Sequence, residues 1–590
     1  MCGIAGILNA KPEHRDITQK MLDLINHRGP DDQGITEDFD RRICLGSKRL
    51  SIIDLSPKGK MPMINQEGTV AVCQNGEIYN YQELRKELTQ AGYQFQSASD
   101  TEVILHGYAK WGEKVFAKLN GMFAIAIFDY QTGSAFLARD RIGIKPLYYL
   151  TLSDTLFFAS EVKAFKAVSD YDLKQDLDPK KLELVLGFMF LPDSANTLFK
   201  RVKRVKPGEY LKWEAATNKL STHSYWTLPY ATEDRAIGFE EAVDNLDNLL
   251  KNSVTKHLVA DVPLGILLSG GLDSSLIAAY AQQLSKKRVK TYTASFNHKL
   301  NESKNAAEVA NYLGTEHHEV FIDTKDVVDQ IERYLPIYDD MTTFDGGVIS
   351  TSILAKKLKD QGITVILLGE GADELFGGYS WFGLAKQPFT VLPRLLKSAA
   401  YYYAISRNIS FKTPNYIAYW NTVWQKQNQP DIFRTISATE LTTQLPNHLL
   451  MKVDKATMSA SVEARVPYLD HRIVEYVFNL PHEYKIKGQM VNLKNSHEKY
   501  ILRKVAERYL PPAVFTRKKR GFMLPMFDVL TSNLDKVRSY VLAADGITAE
   551  IVGKKSLPAL FDFNCPGPLK MQREYLLWRI FLLEAWYKLL

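Results

Sequence analysis

Short apolar runs separated by turn residues fill the first third of the chain. They fall at 43–45, 70–74, 123–128, 135–138, 147–150 and 155–159, and each is rich in β-branched or aromatic residues. Helical spacing appears only near 17–27 and 80–91. The pattern predicts an α+β layered domain over 2–210. Lys206-Pro207-Gly208, the Tyr225-Trp226 pair and an acidic, polar stretch then mark a junction, with 211–238 as linker. From 239 the period changes. A helix at 239–257 precedes an apolar strand at 265–268 and a helix at 275–284. Strands at 289–296, 318–321 and 364–368 then alternate with helices at 302–313 and 350–360. Such alternation predicts a doubly wound parallel sheet within a second domain, 239–590, that turns helical and aromatic-rich beyond 380.

At 590 residues and 45% hydrophobic, the chain can bury more than one core. Its 74 basic and 67 acidic residues leave only +7, interleaved except at Arg517-Lys518-Lys519-Arg520, so a nucleic-acid partner is not expected. Four cysteines without metal-ligand spacing fit a reducing compartment. Charges at Lys11, Glu13, Arg15 and Asp16 argue against a signal peptide. Arg579, Glu584 and Lys588 interrupt the apolar C-terminal stretch. A cytoplasmic protein without membrane spans is expected.

The chemistry begins at Met1-Cys2-Gly3. Trimming of Met1 would leave Cys2 with a thiol and an α-amino group that titrates near neutrality and can act as its base. The competing reading is a buried cysteine heading an apolar strand. Four further clusters decide between them: His27-Arg28-Gly29-Pro30-Asp31, Arg49 to Asp54, Asn75-Gly76-Glu77-Ile78-Tyr79-Asn80, and Ser99-Asp100-Thr101-Glu102. Together with Cys2 they resemble the class II glutamine amidotransferase domain, an αββα layered N-terminal-nucleophile fold.

The resemblance implies roles that chemistry supports. Amide hydrolysis develops an oxyanion, which Asn75 and the Gly76 N–H can receive. Arg49 can clamp the glutamine carboxylate, while Glu77 and Asp100 can neutralise its ammonium. Asn-Gly also reads as a type I′ hairpin turn, and that turn can itself serve as the oxyanion hole. His27 is not needed as a base.

In the second domain, Leu268-Ser269-Gly270-Gly271-Leu272-Asp273-Ser274-Ser275 follows an apolar strand and opens a helix, where backbone N–H groups favour an anion. The Gly-Lys-[Ser/Thr] element of a Walker A loop is absent. The segment resembles the pyrophosphate loop of the ATP-pyrophosphatase superfamily. Downstream, Gly369-Glu370-Gly371-Ala372-Asp373 follows another apolar strand. Asp454-Lys455, Glu463 to Asp470 and His497 to Arg503 resemble later segments of glutamine-hydrolysing asparagine synthetases. Family likeness implies ATP contacts from Leu268, Ser269, Gly270, Gly271, Asp273, Ser274, Ser275, Ser295, Gly369 and Glu370. It further implies Mg²⁺ on Asp273 and Asp373, catalytic roles for Glu370 and Lys499, a pyrophosphate role for the basic run, and a homodimer.

The implied reaction frees ammonia from glutamine, adenylates a carboxylate with ATP and amidates it. Aspartate is the implied acceptor. Aspartate-using relatives carry an arginine after a Thr-Thr pair, whereas Thr342-Thr343 is followed here by Phe344-Asp345. Another acid, such as a polysaccharide uronate or a peptidoglycan side chain, is the alternative. A non-catalytic scaffold is a third reading, against which the full set of site residues argues.

Overall fold

The computed structural model describes the chain except residues 1, 231–236, 297–300, 324–326, 339, 341–346, 387–391, 407–413, 428, 430, 488–497, 518–525, 544, 565 and 566. Asp345 and the Lys518–Arg520 part of the basic run therefore lie outside the described residues, as does His497.

Two six-stranded sheets face one another in the first domain. One runs Val202–Arg204, Tyr148–Leu152, Thr155–Ala159, Gly3–Leu8, Ile43–Arg49, Asp32–Asp38. The other runs Lys219–Ser224, Glu209–Glu214, Ser134–Arg139, Gly121–Asp129, Val70–Ile78, Met63–Ile64. Side-chain alternation sorts the faces. Ile4 and Leu8 meet Ala71, Cys73, Ala124 and Ala126 between the sheets. Ala5 and Ile7 face outward to Met21 and Leu22 on helix His14–Leu24. Val70 and Val72 turn the other way, toward Leu84, Leu88, Val103 and Ile104 on helices Tyr81–Gln90 and Thr101–Trp111. The result is helix, sheet, sheet, helix.

The second sheet includes Lys219–Ser224, which pairs antiparallel with Glu209–Glu214. The first domain's sheet thus runs through residues expected to be linker. All six of these strand residues are exposed, so no hydrophobic alternation announced them.

The second domain holds a five-stranded sheet in the order Glu316–Phe321, Lys290–Ser295, Leu264–Leu267, Val365–Leu367, Glu463–Arg465, with every pairing parallel. Chain order reverses direction on either side of Leu264–Leu267. The loops leaving Leu267 and Leu367 consequently diverge at a topological switch point, where open α/β sheets bind ligands. Helix Gly567–Leu589 buries Leu577, Trp578, Phe581 and Leu582. Among the described residues, no helix is long and apolar enough to cross a membrane.

Candidate active sites

Alternation also aims the first site. Cys2 precedes the inward-facing Ile4, and Asn75 follows the inward-facing Ala71 and Cys73, so both side chains enter the space between the sheets. The Cys2 nitrogen donates to Asn75 Oδ1 at 3.3 Å. This nitrogen is the atom that would become the α-amine after Met1 removal. Asn75 Nδ2 is buried without a hydrogen-bond partner among the described residues. Burial pushes the Cys2 thiol up, opposed by the Leu50 backbone N–H and Arg49.

Asn75 and Gly76 do not form a hairpin turn. Both lie inside strand Val70–Ile78, opposite Ala124 and Phe123 of Gly121–Asp129. The glycine answers a steric demand: its φ is +142°, and a Cβ there would sit 1.9 Å from the Met122 carbonyl oxygen. A close strand approach and a turn demand the same residue, and the dipeptide alone does not distinguish them.

Arg49 is buried, with Nη1 donating to the Ser56 carbonyl at 3.1 Å and Nη2 to those of Ile53, at 3.3 Å, and Asp54. Asp100 Oδ2 accepts from Gln74 Nε2 at 2.9 Å and from the Ile78 N–H at 2.8 Å. Burial holds its carboxyl above the usual range. Glu77 is raised too, by burial first and then by Glu463 and Asp100. Its cation in the structure is Arg465, at 3.5 Å.

Arg465 was legible only as part of a family-like segment. It lies in the outermost strand of the parallel sheet, 2.6 Å from Glu463, and donates to the carbonyls of His257 and Val259. Nearby, Arg28 joins Glu161 at 2.8 Å to Asp454 at 2.9 Å, and Lys145 approaches Asp454 at 3.5 Å. Family likeness places the Asp454 segment near the domain interface, but sequence reading did not pair it with Arg28 or Lys145, which lie 426 and 309 residues away.

The second site sits at the switch point. Gly270 has φ +74°, and a Cβ there would lie 2.5 Å from the Asn305 carbonyl carbon. The loop is braced by Ser274 Oγ, which accepts from the Ser269 N–H at 3.1 Å and lies 3.0 Å from Ser269 Oγ. Ser275 Oγ and Ser295 Oγ are buried without hydrogen-bond partners among the described residues. Leu268 is buried, its N–H bonded to the Tyr292 carbonyl. Gly369 brings the second loop close, since a Cβ there would lie 3.1 Å from Asp273 Cβ. Glu370 is half-buried at the head of the same turn. Arg517 Nη1 donates to the carbonyls of Gly270 and Asn305, at 3.4 and 3.2 Å, so the described end of the basic run reaches this loop.

Lys499 joins the two loops. Its Nζ lies 2.7 Å from Asp273 Oδ2 and 2.7 Å from Asp373 Oδ1. It stands immediately before helix Tyr500–Ala506, with φ +54°. Burial opposes its charge, but the two carboxylates outweigh burial and hold its pKa above the ordinary lysine value. Asp273 Oδ1 is buried without a hydrogen-bond partner among the described residues. Tyr468 braces Asp273 from behind through its carbonyl, at 3.1 Å.

Residues 1–226 match the family model described as glutamine amidotransferase domain, and 245–588 match the one described as asparagine synthase. Fold and sites thus define an ATP-dependent carbon–nitrogen ligase with a glutamine amidotransferase domain. The chain is 31% identical over 638 residues to asparagine synthetase [glutamine-hydrolyzing] 1 of Bacillus subtilis (strain 168), spanning 100% of this chain and 97% of that protein. It is 32% identical over 542 residues to asparagine synthetase B [glutamine-hydrolyzing] of Escherichia coli (strain K12), spanning 88% and 82%. This chain belongs to the asparagine synthase family.

Proposed function

We propose that the protein makes asparagine from aspartate, with ATP as the activating substrate and glutamine as the nitrogen source. The observation that carries the nitrogen-donor half is the Cys2–Asn75 contact, the Cys2 nitrogen fixed by Oδ1 beside an amide Nδ2 that is buried and unspent, while the acceptor rests on likeness to proteins named asparagine synthetase.

In this reading the α-amine of Cys2 takes the thiol proton, and sulfur attacks the glutamine side-chain carbonyl. Asn75 Nδ2 and the Gly76 N–H receive the oxyanion. Ammonia departs, and water then hydrolyses the thioester to glutamate. Arg49 holds the substrate carboxylate. Asp100, raised by burial while no ammonium faces it, ionises more readily once the glutamine ammonium arrives.

At the switch point, the Ser269–Ser275 loop and the start of helix Leu272–Leu284 receive the ATP phosphates. Ser275 and Ser295 offer hydroxyls, and the acceptor carboxylate attacks the α-phosphate, expelling pyrophosphate. Two carboxylates converging on one cationic atom, with Asp273 Oδ1 unspent, fit a hard divalent ion. Such an ion would neutralise charge developing on the departing pyrophosphate. Ammonia then displaces AMP. It must travel unprotonated, since ammonium is no nucleophile.

The test is Cys2→Ala. Glutamine-dependent asparagine formation should vanish while synthesis from ammonium salts persists. Loss of both in a folded protein would overturn the division of labour. Pyrophosphate release that depends on ATP but not on aspartate would overturn the choice of acceptor.

A further inference from the structure

Asp54 ties together the two residues that receive the ends of glutamine, and it is held in place from the other domain. Its carbonyl, with those of Ile53 and Ser56, accepts from the Arg49 guanidinium. The loop closes tightly there, since a Cβ at Gly59 would lie 2.0 Å from Arg49 Nη2. Asp54 Oδ2 accepts from the Ala98 N–H at 2.7 Å, on the segment that leads into Asp100, and Oδ1 accepts from the Ser56 N–H at 3.0 Å. The Asp54 N–H donates across the domain boundary to Asp261 Oδ2, at 2.9 Å. In return, the Asp261 N–H donates to the Ile52 carbonyl at 2.9 Å, so one aspartate grips the loop in both directions. The loop requires such a grip. Asp54 has φ +58°, a left-handed conformation that a residue with a side chain keeps only where its surroundings hold it.

Asp261 is itself anchored on both sides. Before it, Arg465 donates to the carbonyls of His257 and Val259, at 2.8 and 2.6 Å. Beyond it, the Pro263 carbonyl accepts from the Thr364 N–H at 3.1 Å, and the chain then enters strand Leu264–Leu267. Resting on the glutamine reading above, we propose that Asp261 is a positioning residue for glutamine, setting the affinity of the first domain's pocket from the second domain without touching substrate. Holding Asp54 holds Arg49 through the Asp54 carbonyl and the Asp100 segment through its carboxylate. A single contact thereby sets the spacing of the charges that receive the substrate's α-carboxylate and α-ammonium. Those groups do not react, so contacts to them act alike on bound substrate and transition state. Their loosening raises KM and spares kcat.

The test is glutaminase kinetics on the full-length protein. Asp261→Ala should raise the glutamine KM about tenfold, the usual weight of a hydrogen bond to a charged group, with kcat within about twofold of wild type. Asp261→Asn, whose amide oxygen still accepts from the Asp54 N–H, should keep KM within about threefold. The Asp261 side chain is exposed, so its truncation opens no core, and ammonia-driven synthesis should stay within about twofold in both variants. An unchanged KM in Asp261→Ala, or a loss of kcat in its place, would overturn the proposal. Equal losses of glutaminase and ammonia-driven synthesis in either variant would overturn it too, because Asp261 would then hold the domains together and not the pocket. A wild-type glutamine KM in Arg49→Met would instead sink the glutamine reading. A KM raised there and unchanged in Asp261→Ala would sink only the role given to Asp261.

Discussion

Arg465 and Glu77 meet at 3.5 Å across the boundary between the two domains, one on the edge of the parallel sheet and the other on the strand that carries Asn75 and Gly76. Both are buried, and Arg465 also neutralises Glu463 at 2.6 Å. Removing the cation would take the shared guanidinium away from two buried carboxylates. Arg465→Met should therefore cost about 3–5 kcal/mol in denaturant unfolding. Glu77→Gln in that background should recover part of the loss, since one of the two buried acids facing each other no longer ionises. A cost below about 1 kcal/mol would mean that Arg465 does not neutralise these carboxylates.

The oxyanion assignment gives a cleaner functional test. Asn75→Ala should lower glutaminase kcat by about 10²–10³, the usual effect of losing one such donor, with ammonia-driven synthesis retained. Gly76→Ala should do at least as much harm, because its Cβ would strike the Met122 carbonyl and displace the strand. Near-normal glutaminase activity in both variants would remove this strand from the mechanism.

That pair of residues also marks where sequence reading succeeded and where it stopped. The strand–helix alternation after 239 was plain because buried parallel strands are short apolar runs, and Leu264–Leu267, Lys290–Ser295 and Val365–Leu367 follow it closely. Helix Thr101–Trp111 was missed: residues 101–108 are all buried, and its polar line is only Glu102, His106 and Lys110, too narrow to stand out against the apolar residues around it. Lys219–Ser224 was missed for the opposite reason, being exposed throughout. Cys2, Asp273, Asp373 and Lys499 were legible as motifs. Arg28 with Asp454, and Arg204 with Asp340, were not, because a buried ion pair between distant segments leaves no local pattern.

At the second site, Gly378 tests the geometry without changing a charged group. A methyl there would collide with Asp373 Oδ1 and Lys499 Cε. Gly378→Ala should lower ammonia-driven pyrophosphate release by at least about tenfold, the cost expected from an ångström-scale misplacement of a positioning group. Glutaminase activity in the first domain should stay within about twofold of wild type. Equal loss in both activities would indicate misfolding and not a local clash.

Behind that site lies a buried carboxyl with a pH signature. Glu440 accepts from Trp381 Nε1 at 2.7 Å and from the Tyr401 hydroxyl, while its Oε2 has no hydrogen-bond partner among the described residues. Burial raises its pKa to about 8; Tyr401 and Trp381 pull it down, and the charges of Glu374 and Asp373 add to the rise. In the unfolded chain a glutamate titrates near ~4.3. Between these values the folded protein keeps a proton that the unfolded chain has lost, so stability falls as pH rises through this window and levels off above the folded value. Glu440→Gln removes the ionisation while its carbonyl still accepts from both donors. The variant should match wild type within about 1 kcal/mol at pH 5 and exceed it by roughly 2–4 kcal/mol at pH 8.5, measured by chemical denaturation. A constant difference across that range would mean that Glu440 ionises no differently in the folded chain than in the unfolded one.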